Sequence, residues 1–167
     1  MGTLKRKGFL GDIISYLIAL FLLAVVILVM GYVVTQVNAA WQASNSAQEA
    51  KDIVQDYKDS FIPTFDRVFA MLVIGYMIVV ILLGYYLRSS PAFAYLAFLL
   101  LVIFGIVAVH LANAYYGLAI STGFADVSSS FSMMTLLTSK LPHIVVVLGI
   151  TFITVLYSKS QNGDVAI

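Results

Sequence analysis

Few side chains in this sequence could do chemistry, and they do not gather. Asp12 lies about one turn inside the first long apolar run, and His110 and Asn113 stand three residues apart, on one face of any helix that carries them. His143 opens the last apolar run. An ionisable group within a span is a functional-site hypothesis by default. Asp12, however, is within reach of Lys5, Arg6 and Lys7, and an acid suits a helix N-terminus. The four residues are expected to form an interfacial charge cluster. Two histidines at one level could bind a metal or haem only with further ligands, and none is near. His110 and Asn113 are instead expected to make interhelical hydrogen bonds, at about 0.6–2 kcal/mol. The chain has no cysteine, which removes thiolate ligands, thiol nucleophiles and disulfides. No nucleophile–base pair, phosphate loop or paired carboxylates at membrane depth can be found. The expectation is a protein that is not an enzyme and holds no cofactor.

The elements that position these residues are apolar runs. The chain has 167 residues, 62% of them hydrophobic and only 10% charged, with a mean hydropathy of +1.02. A soluble domain of this size cannot hide that much apolar surface. Runs at about 10–37, 68–87, 92–116 and 141–157 come close to or exceed the ~20 residues a bilayer helix needs. They do not alternate, which argues against barrel strands. Trp41, Tyr85, Tyr86, Tyr95, Tyr115, Tyr116 and Tyr157 fall near the run ends, as in an aromatic belt. Pro142 suits the opening turn of the fourth helix, where a missing N–H costs nothing. Lys5, Arg6, Lys7, Arg88 and Lys159 fall on one side, and Lys51, Lys58, Arg67 and Lys140 on the other with six acids. This modest bias points both termini to the cytoplasmic or interior side. The triplet Val37-Asn38-Ala39 looks like a signal-peptide cleavage site, but the run before it far exceeds the usual ~7–15 residues, so an uncleaved anchor is expected. The net charge of +1 implies no bulk attraction to nucleic acid.

Between the first two runs lies a patterned polar insert. Ala40, Ala43, Ala47, Ala50, Val54, Tyr57 and Phe61 recur at steps of 3, 4, 3, 4, 3 and 4, a heptad seam. No Pro or Gly interrupts residues 33–62. The spacing predicts that the first helix leaves the membrane unbroken as an arm over 38–62 and stops at Pro63. Residues 10–61 would then reach about 78 Å. The seam either packs on the protein's own second loop or docks a partner or sister copy. That second loop, 118–140, carries Phe124, Val127, Phe131 and Met134 at helical steps. It is expected either to lie in the interface with its apolar face down or to cap the arm. The fold expected is all-α: an integral membrane four-helix bundle with a long first helix extending outside the bilayer and a short amphipathic interfacial helix.

In order, the chain reads F-I-P-T-F-D-R before the second span, R-S-S-P, H-L-A-N-A-Y-Y, S-K-L-P and L-Y-S-K. The portion from about Phe61 to Lys159 resembles small multi-span membrane proteins of tailless icosahedral bacteriophages with an internal membrane. The pieces that carry the likeness are Asn113-Ala114-Tyr115, Leu141-Pro142 and Tyr157-Ser158-Lys159. The resemblance implies a structural role in a virion membrane, with many copies packed in a curved bilayer and contacting shell or neighbouring proteins. A bacterial inner membrane is the other location compatible with the pattern. The rivals are a holin-like pore former and an accessory subunit of a cellular membrane complex. Expected partners are the lipid bilayer, other membrane or capsid proteins and further copies of the chain.

Overall fold

The computed structural model describes residues 9–86 and 91–163, with side chains over 15–85 and 95–158. Every regular element among them is a helix: α1 (Phe9–Ala43), α2 (Gln48–Tyr86), α3 (Pro91–Ala119), α4 (Ala125–Ser130), α5 (Ser132–Ser139) and α6 (Leu141–Gly163). The four long ones, α1, α2, α3 and α6, are apolar enough to cross a membrane. The protein is an all-α membrane four-helix bundle. Lipid offers the backbone no hydrogen-bond partners, so helices that satisfy themselves are the natural solution. Lys5, Arg6, Lys7 and Arg88 lie outside the described residues, and the side chains of Asp12 and Lys159 outside the described side chains.

The arm departs from the sequence-based expectation at both ends. α1 stops at Ala43, not at Phe61. Ser44-Asn45-Ser46 follows, and serine and asparagine side chains compete with helical bonding. The Ser44 hydroxyl donates to the Trp41 carbonyl at 2.6 Å and accepts from the Ser46 N–H at 3.3 Å. The Ala47 carbonyl then takes bonds from Ala50 and Lys51, opening a new helix in the reverse direction. Pro63 does not end this helix. It lies on the exposed side of α2, which spans 39 residues in all and continues past it to Tyr86 without the one bond that proline cannot donate. The predicted stalk is therefore a hairpin.

Its two arms pair in a single register. Asn38 faces Gln55, Gln42 faces Lys51, and near the far end the Tyr16 and Tyr76 rings meet at a tilt with centroids 6.3 Å apart. It follows that Arg67 stands level with Val26, Asp66 with Ile27, and Asp59 and Asp56 with Val34 and Val37. On the other side of the bundle, Leu101 of α3 lies in the notch at Gly149 of α6, and Phe152 clusters with Ala97. A Cβ at Gly149 would collide with Leu101, so glycine permits this close approach. In that register His110 stands level with Lys140. α2 packs on α6, α6 on α3, and α3 touches α1 most lightly.

The main core lies towards the hairpin end. It joins Ala24, Ile27 and Leu28 of α1, Phe61, Ile62, Phe69 and Val73 of α2, Tyr115 and Ala119 of α3, and Val127, Phe131 and Met134 of the α4–α5 segment. The bundle's other half holds smaller clusters around a cavity of about 70 Å³ lined by apolar side chains. Segment 118–140 forms two short helices broken at Phe131, not the single interfacial helix expected, and its apolar residues enter the protein's own core beside Ile27, Leu28, Phe61 and Ile62. Phe131, between α4 and α5, is fully buried against Gly31, where any Cβ would strike its ring.

Gly31→Leu is expected to overpack this contact and destabilise the protein by about 1–3 kcal/mol. Thr138, 3% exposed, has a hydroxyl with no partner among the described residues. Thr138→Val removes that unsatisfied group and should be neutral or stabilising by up to about 1 kcal/mol. Thermal unfolding in detergent micelles reads both.

Candidate interaction site at the hairpin end of the bundle

The site is built on one buried carboxylate. Asp66 of α2 is 7% exposed. Its Oδ1 accepts the Met134 N–H at 2.7 Å, and its Oδ2 accepts the Met133 N–H at 3.0 Å and the Ser132 hydroxyl at 3.5 Å. It thereby caps the N-terminus of α5 from another helix. The first N–H groups of a helix have no partner within it, and a carboxylate satisfies them with charge-assisted bonds. Nothing local in the sequence links residue 66 to residues 132–134. The acid reads as one more charge before the second span, and its role emerges only when α2 and α5 meet.

Around the carboxylate runs a set of hydroxyl bonds. Tyr115 and Thr135 lie 3.2 Å apart through their hydroxyls, Thr135 donates to the Ser128 carbonyl, and Ser128 donates to the Ala119 carbonyl. The Tyr32 and Phe124 rings meet at 4.8 Å between centroids. The serine- and threonine-rich loop is thus stitched to the end of α3 and the flank of α1.

The hairpin rises above this platform. Asn38, 6% exposed, donates to Gln55 at 2.8 Å. Lys51 donates to the carbonyl of Gln42 at 3.0 Å, placing a cation at the C-terminal end of α1, where the helix dipole favours it. Tyr57, Phe61 and Phe65 form a ring ladder down α2, with centroids 5.9 and 4.3 Å apart. Lys51 and Lys58 are half-buried on the inner side of α2. Glu49, Asp52, Asp56 and Asp59 are exposed. Asp52 and Asp59 accept from Gln48 and Gln55 of their own helix. The outer face of the hairpin's second arm is consequently acidic, with Ile53 and Tyr57 exposed beside the acids.

The expected seam is divided by the turn. Ala40 and Ala43 are exposed on α1, Ala47 lies in the reversal, Ala50 and Val54 are half-buried on α2, Tyr57 is exposed and Phe61 is buried. The seven do not form one continuous stripe, because the chain reverses between Ala43 and Ala47. The expected interhelical role of His110 and Asn113 is also corrected. Both are exposed, and the His110 Nδ1 lies 2.8 Å from the Ile106 carbonyl, one turn back on its own helix. Their side of α3 points away from the bundle, which packs through Ala108 and Ala112 instead. Thr151 and Thr154 bond back to their own helix, as their type suggests. Among the described residues no three His, Asp or Glu side chains converge as metal ligands.

Comparison with known protein families, curated proteins and solved structures finds no match. The site's reading therefore rests on its own geometry.

Asp66→Ala strands the buried Met134 N–H and the part-buried Met133 N–H and is expected to cost about 2–3 kcal/mol. Hydrogen exchange at Met133 and Met134 should accelerate more than exchange in α6. Equal acceleration across the bundle would show that Asp66 does not act as a local cap.

Proposed function

We propose that this is a structural membrane protein that holds an assembly together, and that its hairpin meets a neighbouring protein through the acidic outer face of α2. The observation that carries the reading is the sorting of charge on one helix. Both lysines of residues 48–60 turn inward while four acids turn outward, with two exposed apolar side chains among them. A face of one sign selects a partner surface of the other and governs association rate and specificity. The inward lysines leave that face uncompensated. The partner chemistry is a basic protein surface with an apolar centre.

The resemblance to membrane proteins of lipid-containing phages supports a virion membrane as the setting and a shell or neighbouring membrane protein as the partner. The role is non-catalytic in this reading. Asp66 and its cap serve it by fixing the platform from which the hairpin rises, so that docking does not first require ordering a loose segment.

Reversing two charges tests the proposal. Asp52→Lys combined with Asp56→Lys should lower recovery of the protein in assembled membrane particles at least tenfold, with unfolding shifted by no more than about 0.5 kcal/mol. Raising ionic strength should weaken wild-type recovery in the same direction, because exposed charges are screened. A cysteine at Ile53, free of background thiols, should crosslink to a different polypeptide. Unchanged recovery of the charge-reversed protein, with no Ile53 crosslink, would end the proposal.

A further inference from the structure

One surface is not used by the acidic docking face. α1 carries no charged residue from Ile13 to Ala43. Its side turned away from α2 bears Val26, Met30, Val33, Val37 and Ala40, at steps of 4, 3, 4 and 3. The four larger side chains are 45–51% exposed, and Trp41 beside them is 41% exposed.

The hairpin register places this stripe above the level at which lipid can cover it. Arg67, exposed, stands level with Val26, and the exposed Asp59 and Asp56 stand level with Val34 and Val37. α4 and Phe131 lie at the height of Gly31 and Tyr32, α5 runs from there down past Asp66 to Leu20 and Phe21, and Asp126, Ser129, Ser130 and Ser132 turn outward. On the other walls these charges lie among exposed apolar side chains, including Ile53 and Tyr57 of α2, Tyr116 of α3 and Met133 of α5. Exposed charge does not face hydrocarbon without a partner. The upper part of α1 is therefore an apolar stripe standing in the aqueous layer.

We propose that a second copy of this chain covers it, with the two α1 helices packed in parallel along Val26, Met30, Val33, Val37 and Ala40. Three features favour a copy over another protein. The spacing is that of a two-stranded helical seam, in which each side chain enters a gap on the facing helix. A copy in the same bilayer, related by a twofold axis along the membrane normal, brings an identical stripe to the same height, whereas an unrelated partner would need a matching apolar overhang of its own. The acidic face of α2 points the opposite way from the stripe, so pairing through α1 keeps the two acidic faces apart and outward. Below Val26 the stripe continues through Leu22, 55% exposed, into the lipid-facing surface, so the seam can extend into the membrane. The pairing does not depend on what the acidic face binds.

The chain's lack of cysteine makes the test direct. In membranes, Val33→Cys and Val37→Cys should form disulfide-linked homodimers on mild oxidation at least tenfold faster than Asp56→Cys or Ser130→Cys. Val33→Glu should raise the dimer dissociation constant in micelles at least tenfold. The single tryptophan reports on lipid: Trp41, about 22 Å above Val26 along the helix, should not be quenched by lipids brominated in their acyl chains. Equal oxidation rates at all four positions would overturn the proposal. So would strong quenching of Trp41, which would show lipid covering α1 to its tip, or Val37→Cys crosslinks formed only to a different polypeptide. Should Val33→Glu fail to fold, the cysteine and quenching results decide alone.

Discussion

The antiparallel pairing of α1 with α2 in one register constrains everything else in this protein. Four residues reverse the chain, and Asn38–Gln55 and Gln42–Lys51 fix which turn meets which. Once these pairs are set, the heights of all side chains on the two helices are linked. The polar first half of α2 is held against the apolar upper half of α1. The pairing also brings Asp66 to the level of Ile27, where the α4–α5 segment closes over it.

Packing follows the solvent. Within lipid, apolar side chains gain little by leaving one apolar neighbour for another, and helices associate through shape and small residues. The lipid-facing half of the bundle fits that condition: it relies on notches such as Gly149 and on Ala108 and Ala112, and it keeps an apolar cavity. Towards the hairpin the outer surface carries exposed charge, and burial from water is strongly favourable. There Phe131, Met134, Tyr115 and Leu28 are all but completely enclosed. The buried carboxylate belongs to the same half. It lies where its charge can be met by three donors of α5, not in hydrocarbon where it would need a partner across the bundle.

The hairpin presents two unlike faces, the uncharged stripe of α1 and the acidic face of α2. In the proposed reading the first face meets a copy of the chain and the second meets a different protein.

Much of this was legible from residue order alone. Run length and the near-absence of charge determine four helices and a membrane, because the bilayer imposes length and internal hydrogen bonding on any span. The apolar spacing of Phe124, Val127, Phe131 and Met134 pointed to helix in the last loop, but as one helix, whereas the chain breaks at Phe131 into α4 and α5. The same reasoning went wrong at residues 38–63, where a heptad spacing runs through the reversal and hides it. Periodicity measures angle about an axis and cannot tell that the axis has turned. Ser44-Asn45-Ser46 was the available signal for the break. Only the tertiary structure decided that Asp66 caps α5, that His110 bonds its own helix, that Lys51 and Lys58 face inward, and that α1 stands apolar beside charged neighbours. Each of these depends on which helix lies opposite which, at what height. That is set by contacts between residues far apart in the chain, which no local pattern encodes.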